Sequence, residues 1–97
     1  MSQLPLFKFS LYVAGDSLNS LQASNNLTAL CEAHLPHRYE IEIVDVFRES
    51  KQALAAGIRM APTLVRLSPL PVRRIVGNLS QTLPLLQALG LSEGGTE

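Results

Sequence analysis

Residues 61–76 read Ala61-Pro62-Thr63-Leu64-Val65-Arg66-Leu67-Ser68-Pro69-Leu70-Pro71-Val72-Arg73-Arg74-Ile75-Val76. Two runs rich in β-branched and aliphatic residues, Thr63–Leu67 and Val72–Val76, flank Ser68-Pro69-Leu70-Pro71. Such side chains favour extended backbone, and a short connector stiffened by two prolines folds the second run back on the first. The stretch therefore predicts an antiparallel hairpin. Working outward toward the N-terminus, Phe7, Phe9, Leu11 and Val13 alternate with Lys8, Ser10 and Tyr12. A period of two is a strand. Ala14-Gly15-Asp16-Ser17 breaks it, and Asn19 or Ser20 is the expected cap of a following helix. Leu27, Leu30, Cys31 and His34 or Leu35 recur at helical spacing until Pro36. Tyr39, Ile41 and Ile43 alternate with Glu40 and Glu42, and this second strand continues through Val44-Asp45-Val46.

Residues 48–56 read as a short helix ended by Gly57. Toward the C-terminus, Leu85, Leu86 and Leu89 predict a last helix, which starts near Thr82 because Pro84 is tolerated only in a first turn. Two strands joined by a helix lie parallel with a right-handed crossover. With the hairpin added, the order β-α-β-α-β-β-α is the plan of an α/β thioredoxin-like domain, a mixed four-stranded sheet with helices on both faces. Its 97 residues suit one domain, expected over residues 1–90, with residues 91–97 as a mobile C-terminal tail after Gly90.

Hydrophobic residues make up 46% and charged residues 16%. An average soluble protein carries about 25% charge, so part of this surface is expected to be covered, by a partner, a second copy or the fold itself. The formal net charge of +0 argues against nucleic acid or an anionic membrane as partner. That zero conceals a split. Residues 1–57 sum to −2; residues 58–78 hold Arg59, Arg66, Arg73 and Arg74 with no acid; residues 79–97 add only Glu93 and Glu97. A locally unpaired basic stretch suits an acidic protein face, a phosphate or the acidic first half of its own fold. The apolar runs fall short of the about 20 residues that span a bilayer, and the start lacks a secretion signal. A cytoplasmic protein is expected.

A thioredoxin-type enzyme needs a Cys-x-x-Cys pair where the first strand meets the first helix. Here that corner reads Gly15-Asp16-Ser17-Leu18, and the single cysteine, Cys31, falls on an apolar helix face. Ala61-Pro62-Thr63 resembles the cis-proline segment of thioredoxin-like proteins, and Ala61-Pro62-Thr63-Leu64 the glutathione-binding segment of glutathione transferases. Tyr12 and Ser17 are the formal hydroxyl candidates for such thiol chemistry. Their structural readings are a strand residue with a wet hydroxyl and a turn or cap. His34 and His37 have no further ligands at metal-site spacing, and Asp45 reads as a cap of the following helix. No catalytic residue, metal site or cofactor is expected.

The segment 62–80, with its Pro-Leu-Pro-Val-Arg-Arg-Ile core at 69–75 and Gly77-Asn78-Leu79-Ser80 after it, closely resembles the KaiB family of circadian-clock proteins. The likeness includes Leu11-Tyr12-Val13-Ala14-Gly15, Asn19-Ser20 and Val44-Asp45-Val46. It implies a non-enzymatic regulator that binds the ring of an ATPase, KaiC, helps recruit or sequester KaiA, and competes with a sensor histidine kinase. It also implies fold switching, in which the C-terminal half rearranges between a ground state forming dimers or tetramers and a monomeric thioredoxin-like state. Two packings that interconvert differ by only a few kcal/mol. The half that rearranges holds Pro62, Pro69 and Pro71, whose isomerisation is slow. Many clock members carry Gly where this chain has Ala88 and Asp where it has Gly90. Ala is favoured over Gly inside a helix by about 0.5–1 kcal/mol, so residues 82–89 are expected to be helical here. Arg59, Arg66, Arg73 and Arg74 are the expected partner contacts. Gln22, Glu42 and Gly57 stand where Arg or Lys is common in the family. These departures suit a divergent paralogue serving another KaiC-like ATPase or a stress-response pathway. The alternatives are a glutathione-binding or thiol-linked enzyme, and an adaptor or sensor domain joined to a kinase.

Overall fold

A computed structural model describes residues 6–91. Strands β1 (Phe7–Val13), β2 (Tyr39–Asp45), β3 (Thr63–Ser68) and β4 (Arg73–Val76) alternate with helices α1 (Leu18–His34), α2 (Ser50–Ala55) and α3 (Thr82–Ala88) in the order β1-α1-β2-α2-β3-β4-α3. The sheet order is β2-β1-β3-β4. β1 and β2 run parallel, from Phe7 opposite Tyr39 to Val13 opposite Asp45. β3 is antiparallel to β1 and to β4. This is the thioredoxin-like arrangement that the βαβ opening and the proline-bounded hairpin predict. The Ala61–Pro62, Ser68–Pro69 and Leu70–Pro71 bonds are cis.

β1 is an inner strand, paired along both edges by β2 and β3, and side chains on both of its faces are buried. Phe7, Phe9, Leu11 and Val13 pack with Leu64 of β3, with Ala23, Leu27, Leu30 and Cys31 of α1, and with Leu85 and Leu86 of α3. Tyr12 lies on the opposite face with Val44, Val65 and Ala53 of α2. It is buried, where the sequence suggests a wet strand residue; a six-residue helix is enough to cover that end of the sheet.

α1 begins earlier than expected. Its N-cap is Ser17, whose Oγ accepts the Ser20 backbone N–H at 3.3 Å, and neither Asn19 nor Ser20 caps it. Ser20 is buried, and its Oγ accepts the Ala14 N–H at 3.0 Å, so its side chain closes the preceding turn.

α2 and α3 end alike. After the C-cap residue Ala56, the N–H of Gly57 (φ +73°) donates to Leu54 O and that of Ile58 to Ala53 O. After Leu89, the N–H of Gly90 (φ +77°) donates to Gln87 O and that of Leu91 to Leu86 O. Both ends are Schellman motifs, which require the left-handed backbone that glycine adopts without strain. Leu91 packs against the core. The rest of the expected mobile tail, residues 92–97, lies outside the described residues. Among the described residues, no helix is long and apolar enough to cross a membrane.

Candidate protein-binding surface

The corner between β1 and α1 is built for structure. Ser17 Oγ donates to Ser20 Oγ at 2.9 Å while accepting the Ser20 N–H, so its oxygen is engaged within the cap. Asp45 Oδ1 accepts the N–H groups of Gly15 (3.3 Å) and Phe47 (2.9 Å). It therefore ties the ends of β1 and β2 together and does not cap α2, whose N-cap is Glu49. Cys31 is fully buried. Its thiol is pushed up to about 12, chiefly by burial and secondarily by the charge of Glu32. A thiol so placed holds its proton at neutral pH and is a poor nucleophile. Tyr12 packs on the α2 side of the sheet.

The four arginines separate into two kinds. Arg66, on the α1/α3 face of β3, is only 5% exposed. Its Nη1 donates to Leu89 O and its Nη2 to Pro71 O, each at 2.7 Å, and its Nε has no partner. Burial, and then the neighbouring Arg73, lower its pKa below the ordinary guanidinium value. Arg74 points to the other face. Its Nη1 donates to Gly57 O at 3.3 Å and its Nη2 to Ala56 O. Each arginine thus takes the C-cap carbonyl of the helix on its own side, where a cation also suits the negative end of the helix dipole. Arg66, expected from the sequence as a partner contact, is buried and bonded within the fold, and Arg74, although exposed, is engaged with its own chain. Sequence spacing does not reveal this, because the bonds span the hairpin and two helix ends far apart in the chain.

Arg59 and Arg73 are exposed. Around them Met60, Leu70 (78% exposed), Val72 and Val76 are open to solvent. β4 is an outer strand, so one of its backbone edges is unpaired. Beside it runs a cleft of about 290 Å³, lined by Ile75, Val76, Leu79, Pro84, Leu85 and Ala88 among others. Asn78, which lines the cleft, holds the β4–α3 loop against α1. Asn26 Nδ2 donates to Asn78 O at 2.8 Å, and Asn78 Nδ2 donates to Gln22 Oε1 at 3.1 Å. Nothing in the sequence marks this amide network except Gln22, Asn26 and Asn78 themselves, three amide side chains on two separate segments. The residues expected to govern switching lie close by. Pro62 precedes β3, Pro69 and Pro71 form the connector, Ala88 is the last residue of α3, and Gly90 is in its C-terminal motif. His34 sits in the last turn of α1 and His37 just beyond it. Among the described residues, no group of three His, Cys, Asp or Glu side chains could hold a metal.

An exposed basic and apolar strand edge, beside a corner with no thiol, is suited to gripping another chain. Comparison with known proteins gives the fold and the family. The chain resembles the N-terminal domain of Synechococcus elongatus SasA (TM-score 0.73, 17% identity, covering 99% of this chain and 94% of that one). It also resembles mitochondrial thioredoxin 3 of Saccharomyces cerevisiae (TM-score 0.70, 17% identity, 90% and 80% covered). At such identities the likeness is one of fold. In sequence, the chain is 36% identical to the circadian clock oscillator protein KaiB of Synechococcus elongatus over 94 residues, covering 97% of this chain and 92% of the relative. It is 34% identical to the circadian clock protein KaiB3 of Synechocystis over 87 residues, covering 90% and 85%. The KaiB domain itself matches residues 10–91, and the chain belongs to the KaiB family.

Proposed function

We propose that this chain is a non-enzymatic, circadian-clock-type regulator that binds a KaiC-family ATPase ring and modulates its phosphorylation cycle from the thioredoxin-like state. The observation that carries the reading is family membership combined with a β1–α1 corner that offers Ser17 as a cap and no thiol. The helical state of residues 82–88 supports action from the thioredoxin-like form. Arg59 and Arg73 are the contacts, whereas Arg66 and Arg74 fasten the hairpin that carries Arg73 to the ends of α3 and α2. Pro62, Pro69, Pro71, Ala88 and Gly90 set the balance with an alternative dimeric or tetrameric packing. The protein acts in the cytoplasm as one domain over residues 1–90, and a KaiA-like protein or a sensor histidine kinase is its further partner or competitor.

The test is a pull-down with the KaiC-like ATPases of the same cell, in ATP and in ADP. Retention in at least one nucleotide state, weakened by Arg59→Glu with Arg73→Glu, is expected. Absence of retention in both states refutes the reading.

A further inference from the structure

The register of the hairpin fixes which backbone groups of β4 face outward. Gly77 N–H donates to Pro62 O at 3.0 Å. Antiparallel pairs alternate between hydrogen-bonded and non-bonded. With Thr63 opposite Val76, Leu64 opposite Ile75, Val65 opposite Arg74 and Arg66 opposite Arg73, Ile75 and Arg73 spend their N–H and C=O groups on β3. Those of Arg74 and Val76 point away from the sheet.

On the α3 side of the same edge stand the guanidinium of Arg73 and, two residues further along, Ile75 at the apolar cleft. No acidic residue occurs from Ser50 to Ser92 to meet Arg73 locally. We propose that the β4 edge is a strand-addition site for an extended acidic segment of a partner protein. The backbone of that segment pairs with Arg74 and Val76. One carboxylate meets Arg73, and an apolar side chain two residues away enters the cleft.

Main-chain pairing supplies affinity in this mode, and alternate side chains supply selectivity. Three features coincide in the right order along one strand: unpaired backbone, an exposed cation and an apolar recess. Charge complementarity selects the occupant. A second copy paired edge to edge would bring the Arg73-Arg74 pairs of the two copies together, and like charges on neighbouring strands oppose pairing. The proposal rests on the protein-binding reading above for the existence of a partner. Its test uses a free peptide, so its outcome is independent of any ATPase.

The probe is the capped peptide Thr-Glu-Thr-Leu-Thr-Glu-Thr, which reads the same in both directions and so fits a parallel or an antiparallel addition. It is titrated at low salt into the full-length, isotope-labelled chain. Expected are amide shift changes centred on residues 72–79 and slowed exchange of the Arg74 and Val76 amides. Arg73→Glu should weaken binding at least about tenfold, or about 1.4 kcal/mol. Val76→Pro removes an outward N–H, and proline is tolerated on an edge in that position, so this variant should fold and lose binding. Should it fail to fold, a peptide N-methylated on alternate amides removes the pairing without altering the protein, and must also fail to bind.

The idea is overturned by the absence of any titration, by shifts centred elsewhere, or by equal binding to Arg73→Glu and to the N-methylated peptide. A dimer in sedimentation that Val76→Pro dissolves would assign the edge to a second copy. Binding that emerges only after Glu93→Gln with Glu97→Gln would assign it to the chain's own last residues. Either result also overturns the proposal.

Discussion

Replacing Arg66 by methionine probes the hairpin's internal role. The substitution keeps the apolar stem and deletes two bonds of 2.7 Å, to Leu89 O and Pro71 O. A hydrogen bond from a charged donor is worth about 1.5–3 kcal/mol, so the gross loss is about 3–6 kcal/mol. Removing a cation that is only 5% exposed returns several kcal/mol of desolvation cost, and the unpartnered Nε shows that burial is incompletely compensated. The net expectation is a loss of about 2 kcal/mol, because two carbonyls are left without their donor. In a domain of this size that lowers Tm by about 8–16 °C. Urea unfolding followed by circular dichroism measures the loss. Hydrogen exchange locates it: the amides of α3 should open more readily than those of α1. Arg66→Lys keeps the charge but cannot span both carbonyls, and should recover less than half. A methionine variant within about 0.5 kcal/mol of the parent, with unaltered exchange in α3, would refute the claim that Arg66 holds the helix end.

Two further outcomes follow from named residues. Gly90→Ala places a side chain at φ +77°; the nearest atom to the new Cβ is Arg66 Nη1 at an ordinary 3.6 Å, so the cost of about 1–2 kcal/mol comes from backbone strain, read as a lower urea midpoint. The Cys31 thiol ionises at about 12 in the folded protein against an ordinary 9.0; above pH 9 the unfolded chain loses this proton first, so stability falls from there toward pH 12 and is unaffected below. Cys31→Ala should flatten that decline relative to the parent, and an identical slope in the two proteins would show that the thiol is not the titrating group.

The fold was legible wherever a local pattern had one physical cause. Alternation in residues 7–13 and 39–45 marks strands because side chains on successive residues face opposite ways. Pro84 locates the start of α3, and Gly57 and Gly90 locate the ends of α2 and α3. The α1 cap was less legible, since Asp16, Ser17, Asn19 and Ser20 all carry capping chemistry. The choice of Ser17 depends on Ser20 being drawn inward to Ala14. Least legible were the arginines. Exposed and buried members share one basic run, and only the pairing of Val65 with Arg74 and Arg66 with Arg73 decides which face each guanidinium meets. The family likeness was readable at 62–80 without any of this, because it rests on residue identity along the chain.

The two arginine clasps also say how the molecule comes apart. α2 and α3 lie on opposite sides of the sheet, yet the ends of both are fastened to neighbouring rungs of a single hairpin. Peeling β3 and β4 from β1 leaves both fastenings intact, because each joins residues within 56–89, whereas the β1-α1-β2 unit keeps its own parallel pairing. Such linkage makes residues 50–90 a cooperative opening unit of the kind that exchange experiments resolve below the global transition. A rearrangement that begins in this half would release it whole, leaving the first half standing as a template.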